Sequence, residues 1–133
     1  MRVRRTAAWD CVSPAKMARL STHVLDTARG VPAAGIEVTL HLITDAGRRQ
    51  VASAITNADG RTDQPLLSGA AIEPGIYELT FHATLYFQAH HAAVSSPPFL
   101  GDVVIRVGLA DAGGNYHVPL LLSPYGYSTY RGS

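Results

Sequence analysis

The sequence predicts an all-β domain of the sandwich or barrel type, and three observations carry this prediction. Strand-like runs in which apolar and polar residues alternate recur along the chain. Turn-forming residues separate these runs at short intervals. The 133 residues fit one domain, and a hydrophobic fraction of 47% with a charged fraction of 16% is ordinary for a globular protein. The runs number about seven or eight, which is typical of a sandwich.

The first half of the chain contains three strand candidates. Residues 20–26 form the first, and residues 27–35 read as a loop because glycine and proline interrupt them. Residues 36–42 alternate strictly between apolar and polar side chains, as expected of a half-buried strand. Residues 45–47 then predict a hairpin turn whose glycine takes a positive φ, and residues 50–56 are the partner strand.

The second half follows the same plan after a strong turn signal at residues 57–60. Four further strands are predicted, at residues 76–81, 103–107, 116–122 and 125–130. The pattern of residues 84–93 is ambiguous, and this stretch is the candidate for a single short helix. Pro119 has no amide hydrogen for a sheet ladder. It therefore predicts that its strand is an edge strand, or that the strand bends or bulges there.

Charge and cysteine content exclude several classes of protein. A formal net charge of +1 predicts no strong attraction to nucleic acid or to an anionic membrane. No apolar run approaches the roughly 20 residues of a membrane helix. Cys11 is the only cysteine, so no internal disulfide can form, and we expect a cytoplasmic protein.

Residues 1–18 lack strand alternation and a signal-peptide core, so we interpret them as a disordered extension; Met17 is an alternative start.

Generic catalytic motifs are missing from the sequence. There is no Gly-x-Ser-x-Gly elbow, no His-Glu-x-x-His and no phosphate-binding glycine loop. His90 and His91 are neighbours whose side chains point in different directions, so they do not predict a metal site. We therefore expect no metal and no cofactor, and we interpret His82, His90 and His91 as structural and His41 as exposed or at an interface.

Three polar segments stand out against this background. The first is Ser-Thr-His-Val-Leu-Asp at residues 21–26, which places a histidine inside a strand. The second is Thr-Asn-Ala-Asp-Gly-Arg at residues 56–61, a turn that ends in an arginine. The third runs from residue 116 to residue 133 and is rich in tyrosine, serine and threonine up to a closing Tyr-Arg-Gly-Ser. Most chain ends carry no such order.

These segments resemble the signatures of the transthyretin-like family, specifically its 5-hydroxyisourate hydrolase branch. The resemblance extends over residues 20–133 and is weaker between residues 62 and 111. It implies a transthyretin-like two-sheet β-sandwich with one short helix over residues 19–133. It also implies a homotetramer, a dimer of dimers, with active sites in the channel where two dimers face each other.

The resemblance also assigns roles to residues. It implies that His23, Arg61, His117 and Ser133 are catalytic, that Arg61 binds substrate, and that Tyr130 shapes the substrate pocket. Many members of the family carry a second histidine at the position of Asn115, which we expect to support His117 from the same strand face.

The reaction implied by the resemblance is the hydrolysis of 5-hydroxyisourate in urate degradation, by addition of water to a ring carbonyl. Neutral imidazoles suit proton transfer near neutral pH, and a guanidinium suits adjacent oxygens of a substrate. Such a site needs no metal if it is preorganised. The residues alone do not decide which histidine activates water.

Other interpretations remain open at this stage. Without the resemblance, His23 and His117 read as ordinary strand residues, Arg61 as the partner of Asp59 in a surface ion pair, and Ser133 as a frayed terminus. Tyr125 and Tyr127 read as packing or interface residues. A transthyretin-like protein that binds a small aromatic ligand without catalysis is the main alternative function, and a purely structural sandwich is the other.

Overall fold

Nine strands and one α-helix lie in the part of the chain that the computed structural model describes, residues 18–91 and 94–132. The helix, α1, spans Thr84–His90. A 3₁₀ turn spans Gly69–Ala71. The strands are β1 (Arg19–Asp26), β2 (Val31–Pro32), β3 (Glu37–Thr44), β4 (Gly47–Ile55), β5 (Leu67–Ser68), β6 (Gly75–His82), β7 (Val103–Leu109), β8 (Asn115–Ser123) and β9 (Gly126–Thr129).

Two sheets build the domain. One has the strand order β2-β1-β8-β9, with the short β5 also paired to β1, and the other has the order β4-β3-β6-β7. All pairs are antiparallel except β1 with β8, which run parallel. The predicted two-sheet sandwich with a short helix is confirmed. The strands β2 and β5, two residues each, were not predicted: β2 lies in the segment expected to be a loop, and β5 lies in a stretch for which no element was predicted.

Alternation along the strands separates a core face from an outer face. In β1 the residues Leu20 and Val24 are fully buried, and in β8 Leu120 and Leu122 are fully buried. They pack between the sheets with buried residues of the other sheet, among them Leu40, Tyr77, Leu79 and Phe81. The intervening residues of β1 and β8 therefore point away from the core, and these include the two histidines singled out in the sequence.

Of the alternatives that Pro119 left open, an edge strand, a bend or a bulge, the edge strand is wrong. β8 lies inside its sheet, between β1 and β9. The proline is tolerated because β9 ends at Thr129, opposite Leu120, and pairing on that side resumes only at an isolated bridge between His117 and Gly132. The missing amide hydrogen thus falls in the gap of the ladder, where no partner requires it. Within the gap, the Thr129 hydroxyl donates to the Pro119 carbonyl oxygen at 2.7 Å.

Local turn chemistry agrees with the sequence. β3 and β4 form the expected hairpin, and Gly47 closes it with a φ of +124°. The extension expected over residues 1–18 falls on residues 1–17, which lie outside the described part of the chain. Ala18 is buried in the core, and its carbonyl oxygen accepts a hydrogen bond from Gly69, so the folded unit includes this residue.

A buried carboxylate connects the end of β1 to α1. Asp26 is 1% exposed and accepts hydrogen bonds from the Tyr86 hydroxyl at 2.7 Å and from Nε2 of His91 at 2.8 Å. The backbone N–H groups of Ala28 and Arg29 donate to its other oxygen. Burial by itself would raise the pKa of Asp26, but these hydrogen bonds outweigh it and hold the pKa below its ordinary value.

Candidate active site

The parallel pairing of β1 with β8 brings the two candidate histidines onto one face of the sandwich. Ser21 lies opposite His117, and His23 lies opposite Pro119. The two histidines are therefore offset by two residues along the paired strands. Both imidazoles are half-buried on the outer face of the sheet. The two strands are far apart in sequence, and only the fold makes them neighbours.

The turn at residues 57–60 places Arg61 beside His23. The side-chain oxygen of Asn57 accepts hydrogen bonds from the backbone N–H groups of Asp59 and Arg61, which fixes the turn internally. Gly60 has a φ of +77°, and its carbonyl oxygen accepts a hydrogen bond from the N–H of Val24 in β1. A Cβ at Gly60 would collide with the Val24 carbonyl oxygen, so the position accepts only glycine.

Arg61 then forms an isolated antiparallel bridge with His23. Within residues 18–91 and 94–132, Arg61 forms no ion pair with Asp59, so the surface ion pair that the sequence left open is not present. The guanidinium is exposed on the outer face and available to a ligand.

His23 is anchored through one ring nitrogen. Its Nε2 lies 2.9 Å from the carbonyl oxygen of Asp59. A carbonyl only accepts, so this nitrogen carries the hydrogen and donates it. In the neutral imidazole Nδ1 is therefore the unprotonated nitrogen, and it is the one left for a ligand.

His117 is anchored through the opposite nitrogen. Its Nδ1 lies 2.8 Å from the hydroxyl oxygen of Ser21, and Nε2 has no hydrogen-bond partner within the described residues. Burial lowers the pKa of His117, and the positive charges of Arg61 and Arg19 lower it further, as does His23 whenever its imidazole is protonated. The imidazole is consequently neutral at pH 7, the state in which it can accept a proton.

The C-terminal segment passes against the ring of His117. The N–H of Gly132 donates to the His117 carbonyl oxygen at 2.8 Å, and a Cβ at Gly132 would lie 2.6 Å from Cδ2 of the ring. Glycine is thus required for this close approach. Tyr130 is 61% exposed nearby, and Ser133 lies outside the described residues.

Two cavities flank His117 on the described surface. A polar one of about 250 Å³ lies on the β1 side and is lined by Arg19, Ser21 and Arg61 together with Thr22, Thr62, Asp63 and Pro65. A more apolar one of about 340 Å³ is lined by His117, Tyr130 and Arg131 together with strand β7. Tyr130 therefore lies on the side of His117 away from Arg61.

The sequence did not predict that Ser21 and Arg19 belong to this site, and it predicted a different contact for Asn115. Ser21 contacts His117, and Arg19 adds a second guanidinium to the polar cavity. The side-chain oxygen of Asn115 accepts from Nε of Arg19 at 3.3 Å, so Asn115 contacts this arginine rather than His117. A signal for Ser21 existed, because it shares the outward phase of β1 with His23.

The arrangement suits proton transfer next to an anchored anion or oxyanion. It offers one neutral imidazole with a free nitrogen, a second imidazole with a fixed tautomer, and two guanidinium groups.

No group of three or more His, Cys, Asp or Glu side chains placed to hold a metal occurs in residues 18–91 and 94–132. Over the same residues no helix has the length and hydropathy to cross a membrane.

Fold and site together define a small β-sandwich protein with a polar cavity and two half-buried histidines on the outer face of one sheet. The sequence model of the HIUase/Transthyretin family matches residues 20–132. The chain therefore belongs to the HIUase/Transthyretin family, as the resemblance predicted.

Known proteins of this family are similar to the chain over nearly their whole length. The 5-hydroxyisourate hydrolase of Deinococcus radiodurans is 54% identical over 114 residues, which are 86% of this chain and 95% of the relative. The 5-hydroxyisourate hydrolase of Pseudomonas aeruginosa is 49% identical over 120 residues, 90% of this chain and 95% of the relative. The structure of Klebsiella pneumoniae 5-hydroxyisourate hydrolase superposes with a TM-score of 0.72 at 32% identity, over 88% of this chain and all of that chain.

Proposed function

We propose that this protein hydrolyses 5-hydroxyisourate to 2-oxo-4-hydroxy-4-carboxy-5-ureidoimidazoline. One observation carries the proposal: His117 has no hydrogen-bond partner on Nε2 among the described residues, and burial and the charge of Arg61 lower the pKa of this imidazole. A general base needs to be neutral at working pH, and a developing oxyanion needs a positive charge next to it. The names of the relatives at 49–54% identity agree with the proposal.

In the proposed mechanism Nε2 of His117 takes a proton from water as the water oxygen bonds to a ring carbonyl carbon. Arg61 binds the substrate oxygens and stabilises the oxyanion of the tetrahedral intermediate. The intermediate collapses, the ring C–N bond breaks, and the imidazolium of His117 returns its proton to the leaving nitrogen. The product carries a new carboxyl group. His23 accepts a substrate hydrogen at Nδ1 and is the second proton-handling residue.

The remaining predicted residues complete the proposal. Ser133 orients water or substrate through its hydroxyl, and Tyr130 bounds the cavity beside His117. We place the protein in the cytoplasm, since a single cysteine is compatible with a reducing compartment.

We further propose a homotetramer, assembled as a dimer of dimers. β7 and β9 are each an edge strand of their sheet. Tyr125, just before β9, and Tyr127, within it, are 68% and 46% exposed. Unpaired edges and exposed aromatic side chains are features of surfaces that associate. A neighbouring subunit would also enclose the half-buried histidines and exclude water from the reaction.

The alternative is a transthyretin-like protein that binds a small ligand without catalysis. An apolar ligand would leave Arg61, Arg19 and the two imidazoles desolvated without partners, at a cost in binding free energy. The polar cavity therefore favours an oxygen-rich heterocycle over an apolar one. Catalysis is what separates the two functions experimentally.

The first test is the ultraviolet absorbance decay of freshly generated 5-hydroxyisourate, with chelator present and no metal added. We expect the wild-type protein to accelerate the decay well above the spontaneous rate. Sedimentation equilibrium on the same sample should report a tetramer. A folded tetramer that leaves the spontaneous rate unchanged would contradict the hydrolase proposal and favour the ligand-binding alternative.

The pH dependence of kcat/KM offers a second test, because this ratio reports the pKa of the base in the free enzyme. The lowered pKa of His117 predicts that activity persists as the pH falls through 6.5 and is lost only below it. In Arg19→Gln one of the nearby positive charges is removed, so the acid limb should move to higher pH. An acid limb that is unchanged in Arg19→Gln would contradict this electrostatic control of His117.

A further inference from the structure

Nδ1 of His117 has a dedicated partner that the proposed mechanism does not use. The hydroxyl oxygen of Ser21 lies 2.8 Å from this nitrogen, and the parallel register of β1 and β8 places the two residues directly opposite each other. We propose that Ser21 is a positioning residue, which holds the His117 imidazole so that Nε2 faces the substrate. The proposal rests on the proposed hydrolase function.

A hydroxyl suits this task because it can both donate and accept. While His117 waits as a neutral base at Nε2, its Nδ1 carries a hydrogen, and the Ser21 oxygen accepts it. When Nε2 takes a proton from water, Nδ1 keeps that hydrogen, and the contact becomes a stronger, charge-assisted bond. The bond to Ser21 therefore favours the imidazolium that forms during the reaction. An aliphatic side chain would offer neither interaction.

The rest of the ring's surroundings leave it little freedom. Gly132 approaches the Cδ2 edge so closely that a Cβ there would lie 2.6 Å away. Rotation of the ring would therefore break the hydrogen bond to Ser21 and move the ring within the narrow space beside Gly132. Ser21 also lines the polar cavity together with Arg61, so the anchor lies at the edge of the space that the substrate would occupy.

The test compares Ser21→Ala with Ser21→Thr and a matched control. We expect Ser21→Ala to lower kcat about tenfold, which is the typical worth of one such hydrogen bond, while KM changes less than about twofold. Ser21→Thr keeps a hydroxyl in a strand that tolerates β-branching and should recover most of the kcat. Ser53→Ala makes the same chemical change on exposed β4 of the other sheet and should leave both constants unchanged.

A spectroscopic arm separates this proposal from the function on which it rests. ¹⁵N NMR of labelled wild-type protein reports the tautomer and hydrogen bonding of His117 without any substrate. We expect its ring shifts to change in Ser21→Ala and to return in Ser21→Thr, even if the wild type proved inactive on 5-hydroxyisourate. A wild-type kcat in Ser21→Ala, a loss that threonine does not recover, or ring shifts that are unchanged in Ser21→Ala would each overturn the positioning role.

Discussion

His117→Ala is expected to reduce kcat/KM for 5-hydroxyisourate hydrolysis by about 10²–10⁴-fold, the usual contribution of a general base. The physical reason is that the pKa of His117 is lowered by burial and by the charge of Arg61, and that its Nε2 has no partner among the described residues. The other imidazole, His23, has its Nε2 committed to the Asp59 carbonyl oxygen, so it cannot assume the same role in the same geometry. Stopped-flow absorbance decay measures the effect.

The matched control is His41→Ala, which removes a half-buried imidazole from the outer face of the other sheet. Its activity should stay within about twofold of wild type, and both variants should keep the wild-type circular dichroism spectrum. Added imidazole should restore part of the activity of His117→Ala, because the missing group is a base rather than a structural element. Activity of His117→Ala near the wild-type level would remove the proposed base and leave its identity to His23.

Much of the fold follows from local rules that the sequence displays. Period-two alternation identifies the long strands, and the same alternation assigns His23 and His117 to the outward-facing phases of β1 and β8. The sequence also predicts the turn before Arg61, because the positive φ at position 60 requires a glycine and Gly60 supplies it. These features depend on neighbours in sequence, so a sequence can reveal them.

The parts that the sequence did not reveal depend on contacts between distant segments. Nothing local indicates that β1 and β8 run parallel, yet this pairing puts Ser21 opposite His117. The edge-strand alternative for Pro119 failed for the same reason, since the tolerance of a proline inside this sheet depends on where β9 ends. The two-residue strand β2 is also too short to show alternation and exists only through its pairing with β1.

Asp26, the last residue of the strand that carries His23, stabilises the fold. Asp26 is the last residue of the Thr-His-Val-Leu-Asp segment, and its carboxylate is the meeting point of β1 and α1. Burial and the hydrogen bond to Asp26 raise the pKa of Tyr86 to about 12, so this hydroxyl remains a donor at any ordinary pH. The carboxylate of Asp26 thus accepts hydrogen bonds only from donors that favour its charged form. The fold therefore stabilises charged Asp26.

Asp26→Ala should lower the free energy of unfolding by about 3–5 kcal/mol, the usual cost of removing one partner from a buried pair. The variant leaves Tyr86 and His91 as donors without their acceptor in a site that is almost closed to water. Urea unfolding followed by circular dichroism, at one fixed protein concentration, measures the loss. Glu73→Ala removes an exposed carboxylate from a loop and should change the free energy of unfolding by less than about 0.5 kcal/mol.

The pH dependence of that difference identifies its electrostatic origin. The pKa of Asp26 is lowered in the folded state, so its stabilisation is fully present above the unfolded value near 3.8 and is lost as the pH falls through the folded pKa. The stability gap between wild type and Asp26→Ala should thus stay constant from pH 7 to about 5 and narrow only below about 4. A gap that widens as the pH falls from 7 to 5 would mean that the pKa of Asp26 is raised in the folded state and that its carboxyl group is protonated there near neutral pH. Packing rather than charge would then join β1 to α1.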